Sequence, residues 1–422
     1  MDAIEHDQIQ EYKANEFVVA TPHRDLVMQR LVNTGATVSA KSPELGLTLI
    51  RLDDVTKATK HLRQEREAAG AGHRTVPAGP HQGLPLDGFL AELRGVFEDK
   101  FDHWAPTLGK NRLMRGIQFL PYPSGGGEGD PVPLPGETGL PPAIGSRNAG
   151  RGARVMVLDT RVHPHESLAG RYIADRDSLL RHSEKARLWW AGHATFIAGL
   201  ILQRAPATQL RVESVLGTET AAADVWEVAR RLVLCANSGA DILNLSFGCF
   251  TIDGKPPLVL ERAIGRLTPT MVVVAASGNH GDPKANDPKN KNKKQLVPHP
   301  NTPIWPAAFE EVVAVGATDG NGRPATFTPK VAWLDFLAPG VDVTSTYLEG
   351  SVRGRTGKLI EPPFVGVAQW SGTSFAAAAV SGAIAARTVP GLRTAYEALD
   401  QLRRGVSGHS STGIEVARLP EF

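Results

Sequence analysis

The chain is poor in the features that would tie it to a membrane, a nucleic acid or an oxidising compartment. Two cysteines, Cys235 and Cys249, in 422 residues build no disulfide framework and point to a reducing compartment. Lysine and arginine (46) nearly balance aspartate and glutamate (44), and a net charge of +2 gives no electrostatic basis for binding nucleic acid or an anionic bilayer. No apolar run nears the roughly 20 residues that a spanning helix needs. The opening MDAIEHDQIQEYKANEF has no basic start followed by an apolar stretch, so no secretory signal is expected and the expected location is cytoplasmic. Metal-ligand patterns are scarce as well. His163-Pro164-His165 has no third ligand placed by spacing and reads as a pair of loop histidines.

What is present is ordinary for a globular protein, with 41% hydrophobic and 21% charged residues, and the length predicts two domains. Residues 1–15 are polar and read as a flexible N-terminus. Strands are predicted at 16–20, 37–40 and 47–52, and helices at 25–32, 55–69 and 86–101. The last helix carries Phe89, Leu90, Leu93, Val96 and Phe97 at helical spacing, and 116–120 reads as a closing strand. This order predicts a small α+β domain over 16–120. Proline and glycine then crowd 121–152, which reads as a linker. Its Gly125-Gly126-Gly127-Glu128-Gly129 is no phosphate loop, because no strand feeds it and no helix follows. Gly357-Lys358 fails too, since Leu359 stands where a magnesium-binding Ser or Thr would be.

From 153 to 410 short apolar runs alternate with helical stretches. Strands are predicted at 154–158, 209–215, 241–246, 271–276, 312–315 and 333–337, with a helix over 224–238. Such a pattern predicts an α/β fold with a doubly wound, mainly parallel sheet, leaving 411–422 as a tail. In these sheets functional residues lie beyond the carboxyl ends of the strands, where Asp159 and Asn279 fall.

One stretch draws the rest together: Gln369-Trp370-Ser371-Gly372-Thr373-Ser374-Phe375, followed by four alanines. It predicts a close-packing helix with Ser374 at its N-terminus, where free N–H groups favour a developing oxyanion. A plain N-cap fits the same residues. A nucleophilic serine needs a base and a carboxylate to orient that base. His193, at a glycine turn entering a helix, and Asp159, at a strand end, could serve, although each alone is equally a cap or a satisfied polar residue. Asn279, in Ala275-Ala276-Ser277-Gly278-Asn279, is either a turn residue or an amide aimed at an oxyanion, with the Ser374 N–H as second donor.

Taken in order, Asp159, His193, Asn279 and Ser374 resemble the subtilisin-type serine peptidases (subtilases), and so do the stretches at 305–319 and 334–344. The resemblance covers roughly 150–400. It implies a serine endopeptidase in which Ser374 attacks, His193 acts as base and then acid, Asp159 fixes the imidazole, and Asn279 binds the oxyanion. It also implies that a protein or peptide substrate lies as an extended strand along Ser246-Phe247-Gly248, with Ala275, Ala276, Ser277 and Gly278 walling the primary specificity pocket. No cofactor is implied as required. Structural calcium is common in the family, and no Asp-rich loop assigns it here.

The chain departs from the pattern at Arg161 and Ala194, where glycines are usual, at Phe196, where a second histidine is usual, and at Ala378, where proline is usual. Two stretches exceed the expected spacing: 281–303, with five lysines, and 346–368, with Arg353, Arg355 and Lys358. Family resemblance further implies that 16–120 acts as a prodomain-like or regulatory domain that covers the cleft, with processing between 120 and 152; the alternative is a permanent recognition domain that brings a partner to the peptidase. The competing expectation is a catalytically silent fold that binds peptides.

Overall fold

A computed structural model describes residues 4–7, 10–68, 84–120, 129–137, 139, 141–183, 185–282, 298–405 and 417–419. The glycine run at 125–127, most of the lysine-rich stretch and most of the C-terminal tail lie outside the described residues. The chain divides into two compact units, and the first ends at Met114.

In the N-terminal unit the strand Gln10–Ala20 lies between Leu47–Leu52 and the strand that begins at Leu108, antiparallel to both, and Ala36–Ser42 adds outside Leu47–Leu52. Side chains two apart share a face, so Phe17 and Val19 meet Ile50 and Leu52 in one core. The helices Val55–Ala68 and Pro85–Lys100 close it with Ala58, Leu62, Leu86, Phe89, Leu90, Leu93, Val96 and Phe97. The expected apolar helical face is therefore the face that is buried. The two helices are also tied by Arg66, which bonds Glu92 (2.9 Å) and Asp99 (2.8 Å).

The N-terminal residues differ from expectation. Ile4–Asp7 pairs with Gln10–Ala20, so 1–15 is not a uniformly loose arm. Polar 10–15 joins the strand because Tyr12 is buried and its hydroxyl donates to Asp87 at 2.7 Å. Two later stretches, Asp224–Arg230 and Thr251–Ala263, also group with this unit. Asn111 helps to tie in the first of them. It donates to Glu16 (2.6 Å) and accepts the Trp226 N–H (3.2 Å).

The second unit is built on an eight-stranded sheet whose pairings are all parallel. Its order is Ala417–Arg418, Phe336–Pro339, Val313–Thr318, Val272–Ala276, Ile242–Leu245, Arg154–Asp159, Gln209–Ser214 and Tyr172–Ile173. From Arg154–Asp159 the chain passes to Gln209–Ser214 on one side and then crosses back to Ile242–Leu245 on the other. That reversal opens a crevice at the carboxyl end of Arg154–Asp159. The expected doubly wound α/β architecture is the one observed. The C-terminal tail departs from expectation, since Ala417–Arg418 extends the sheet beside Phe336 and Leu337.

Two helices flank the crevice. His193–Arg204 is buried along its whole length, and Thr373–Arg387 runs buried from Thr373 to Ala385. The stretch at 346–368 is no irregular loop. Val343–Arg353 and Leu359–Trp370 form an antiparallel hairpin, and Val132–Pro133, expected within the linker, pairs with its second strand. Hairpin and helix meet closely at Gly199. Ser345 Oγ donates to Phe196 O (2.7 Å) and Thr346 Oγ1 to Thr195 O (2.9 Å), and a Cβ at Gly199 would collide with both hydroxyls. Gly199→Ala is therefore expected to cost about 1–3 kcal/mol through overpacking. Urea unfolding would read this as a lower midpoint with unchanged slope; an unchanged midpoint contradicts it.

Candidate active site

Asp159 ends its strand in the crevice, fully buried. Its Oδ1 accepts the Thr160 N–H (2.7 Å) and lies 2.8 Å from His193 Nδ1. A carboxylate only accepts, so Nδ1 carries the hydrogen and Nε2 the lone pair that a general base needs. His193 is the first residue of its helix, delivered by the turn Trp189–Gly192, and Thr160 Oγ1 accepts the following N–H, of Ala194, at 3.2 Å.

The imidazole is walled by aromatic rings: Trp370 edge-on at 5.8 Å and Phe375 tilted at 5.6 Å. Phe196 completes that wall, 4.5 Å from Phe375 and 5.7 Å from Trp370. An apolar ring suits this dry position, which accounts for the absence of a second histidine there. Ala378 is fully buried in a helix that continues unbroken to Arg387, so the missing proline leaves the helix intact.

Ser374 is the second residue of the helix Thr373–Arg387, fully buried, and its Oγ has no hydrogen-bond partner among the described residues. Asn279 faces the same N-terminus. Its Oδ1 accepts both the Thr373 N–H (3.0 Å) and the Thr373 hydroxyl (2.8 Å). A backbone N–H can only donate, which fixes the amide orientation and turns Nδ2 toward the crevice. Ala275, Ala276 and Ser277 are buried at the end of the neighbouring strand, and with Gly278 they lead directly into Asn279.

The expected substrate strand is occupied by the chain itself. Gly116 pairs antiparallel with Phe247 and Arg115 with Gly248, and the Ile117 N–H donates to Ser246 O at 3.0 Å. The predicted strand at 116–120 therefore ends at Gly116, and Ile117–Phe119 turns as a short 3₁₀ helix. Gln118 is fully buried, and it bonds Ser371 O (2.9 Å) and Asn279. No role was expected from the sequence for Gln118, Thr160 or Thr373. Thr373 could have been found from its place in Gly372-Thr373-Ser374, but Gln118 had no comparable signal. Ser246 is tied to the helix Thr373–Arg387 in two ways. Its hydroxyl donates to Ser374 O (3.3 Å), and it accepts from Asn244, which in turn accepts from Ser381.

His280, next to Asn279, is buried against Phe250 and donates from Nε2 to Thr302 O at 2.9 Å. Burial pushes its pKa from 6.5 down to about 4. Arg161 is half-buried beside the site. Among the described residues no group of three or more His, Cys, Asp or Glu is placed to hold a metal, and no helix is long and apolar enough to cross a membrane.

Residues 150–389 match the family described as the Subtilase family. The chain is 32% identical over 235 residues to Subtilisin BL of Lederbergia lenta, a match that covers 53% of this chain and 77% of that protein. It is 33% identical over 235 residues to M-protease of Shouchella clausii (strain KSM-K16), covering 53% and 55%. Among solved structures, fervidolysin from Fervidobacterium pennivorans, a keratinolytic enzyme related to subtilisin, superposes with a TM-score of 0.54 at 16% identity, over 91% of this chain and 57% of that one. The protease domain of PatA, as a serine-to-alanine mutant, gives 0.50 at 23% identity, over 66% and 95%. Both structures agree in fold.

The depressed His280 pKa sets a pH dependence of stability. Below about pH 6.5 the unfolded chain binds a proton that the folded state refuses, so stability falls as pH drops toward 4 and is flat above this window. The loss from this group is about 3 kcal/mol by pH 4. Urea unfolding at several pH values should show a shallower acid slope for His280→Gln than for the wild type, and equal slopes would contradict the assignment.

Proposed function

This chain belongs to the subtilase family and is a subtilisin-type serine endopeptidase, and from that premise we propose that Asp159, His193 and Ser374 are its catalytic triad. The 2.8 Å bond between buried Asp159 and His193 Nδ1, beside a helix N-terminus that carries Ser374, is the observation that supports this most directly. Ser374 Oγ attacks the scissile carbonyl as His193 Nε2 takes its proton. The resulting oxyanion is met by Asn279 Nδ2 and the Ser374 N–H. Collapse expels the amine, protonated by His193, and leaves an acyl-enzyme. Water, activated by the same imidazole, then hydrolyses this ester. Asp159 holds the tautomer and stabilises the imidazolium.

The substrate is a protein or peptide in extended form, paired along Ser246-Phe247-Gly248 and walled by Ala275, Ala276, Ser277 and Gly278. In the chain as it stands that path is taken by residues 115–117, with Gln118 turning off next, and these residues follow directly on Met114 in the chain. The protease is therefore autoinhibited by its N-terminal part, a prodomain-like segment over 16–120 with processing between 120 and 152. Such a cut leaves 115–118 on the N-terminal fragment, so inhibition outlasts it until the fragment departs.

A fluorophosphonate probe tests the triad. After limited proteolysis of the N-terminal part it should add to Ser374 and not to the Ser374→Ala variant. Asp159→Asn should lower turnover by three to four orders of magnitude, the effect of carboxylate loss in serine-protease triads generally. No adduct under any condition would support instead a catalytically silent peptide-binding protein. Intact-mass measurement tests processing: a chain that stays whole and fully active would refute the prodomain role.

A further inference from the structure

Resting on the reading that residues 115–118 block the cleft, we propose that the block is made by one side chain. The Gln118 carboxamide sits in the oxyanion site in place of a substrate carbonyl, and Arg355 clamps it there, so the segment inhibits without being a substrate. Atom assignments follow from partners whose roles are fixed. Ser371 O can only accept, so Gln118 faces it with Nε2, at 2.9 Å. That leaves Gln118 Oε1 to accept from Asn279 Nδ2, while Asn279 Oδ1 takes the Thr373 N–H. The pocket is shaped for this amide. Gly372, next to Ser371, has no side chain, and a Cβ there would run into the Gln118 amide nitrogen.

The main chain takes a different course from that of a cleavable peptide. It follows the substrate path as far as Ile117 and then turns away through Ile117–Phe119. The Gln118 carbonyl, which belongs to the bond that would be cut after it, accepts from Arg355 Nη2 at 3.2 Å. Peptide hydrolysis needs that main-chain carbonyl between Asn279 and the Ser374 N–H. A side-chain carbonyl stands beside Asn279 instead, and the peptide carbonyl is held by a cation elsewhere.

Arg355 itself is well fixed. Its guanidinium lies 4.2 Å over the Trp189 ring, and its main-chain N–H donates to Asp130 Oδ1 at 2.8 Å. It lies in the connection between the two hairpin strands Val343–Arg353 and Leu359–Trp370, within the stretch that exceeds the family spacing. That insertion thus supplies the clamp.

The test is the rate at which a fluorophosphonate labels Ser374 in the intact, unprocessed chain. Gln118→Ala removes the carboxamide and should speed labelling by on the order of tenfold to a hundredfold, from two lost buried hydrogen bonds. Arg355→Ala should speed it by about tenfold. Gln118→Glu carries a diagnostic pH dependence. When ionised it turns an oxygen toward Ser371 O and should behave like Gln118→Ala near pH 7.5; when protonated it can donate again. Its rate relative to Gln118→Ala should therefore fall as pH drops toward about 5. A ratio that does not change with pH overturns the proposal.

Gly116→Pro separates this from inhibition by the segment at large. It deletes the Gly116 N–H, which bonds Ala221 O at 3.2 Å, and leaves Gln118 unchanged. If Gly116→Pro labels fast while Gln118→Ala labels like wild type, the strand blocks the cleft and the plug is refuted. If neither variant differs from wild type, both readings fail.

Discussion

The structure depends on one buried helix that has to come very close to its neighbours. Thr373–Arg387 packs against five strands of the parallel sheet and against His193–Arg204. Alanine at 376–379, serine at 381 and glycine at 382 keep its surface thin enough to do so. A helix this buried cannot leave its first turn to water, so each polar group there needs a protein partner or is held in reserve. Asn279 takes the Thr373 N–H and hydroxyl. The Ser374 hydroxyl, fully buried and without a hydrogen-bond partner among the described residues, is the group held in reserve. An unsatisfied hydroxyl costs about 1–3 kcal/mol, a cost that fits the nucleophilic role proposed for Ser374.

Burial also fixes the geometry around the helix. Ser381, Asn244 and Ser246 form a continuous chain of hydrogen bonds that ends on the Ser374 carbonyl. All are fully buried, so each bond is made in a low-dielectric interior where losing a partner is expensive. The chain ties the end of the Ile242–Leu245 strand, beside the proposed substrate path, to the helix that carries Ser374. On the other side, Asp159 and Thr160 hold His193 and Ala194, the Trp370 and Phe375 rings pack against the imidazole, and Phe196 packs against those two rings. The proposed substrate path and His193 are thus both referred to the same helix.

The parts of this arrangement that could be read from sequence are those encoded over a few consecutive residues. Val155 to Leu158 form an apolar run because a parallel strand is covered on both faces, and the aspartate that ends the run falls in the crevice. Gly372-Thr373-Ser374 and the alanines behind it have the same local character. What stayed hidden is encoded across distance. Gln118 meets Ser371, 253 positions along the chain, and within its own neighbourhood it is a polar residue in an apolar stretch that reads as strand. Pro362-Pro363 disguises the second hairpin strand, which tolerates them. Residues 10–15 look loose because their polar side chains obscure Tyr12, the one residue that anchors them. Val132–Pro133 and Ala417–Arg418 are too short to leave a periodic signal at all.

A carboxamide plug has consequences that a covalent bond would not. Each of its hydrogen bonds replaces one that water would make on opening, so its net worth is about 1 kcal/mol, with somewhat more for the bond to Arg355. Three such contacts alone would leave the site open in roughly one molecule in a few hundred. The backbone pairing of Arg115 and Gly116 with Gly248 and Phe247 lowers that fraction further. Inhibition of this kind is graded: a peptide that pairs well along Ser246-Phe247-Gly248 competes directly with the segment, and its apparent affinity is reduced by the open fraction. Because the clamp lies on a hairpin and the plug follows Met114 by only a few residues in the chain, whatever shifts either element changes that fraction without touching Asp159, His193 or Ser374. On the proposed reading, Asp159, His193 and Ser374 keep their arrangement while the chain is silent, which suits a peptidase switched by a change of contacts and not by repair of its chemistry.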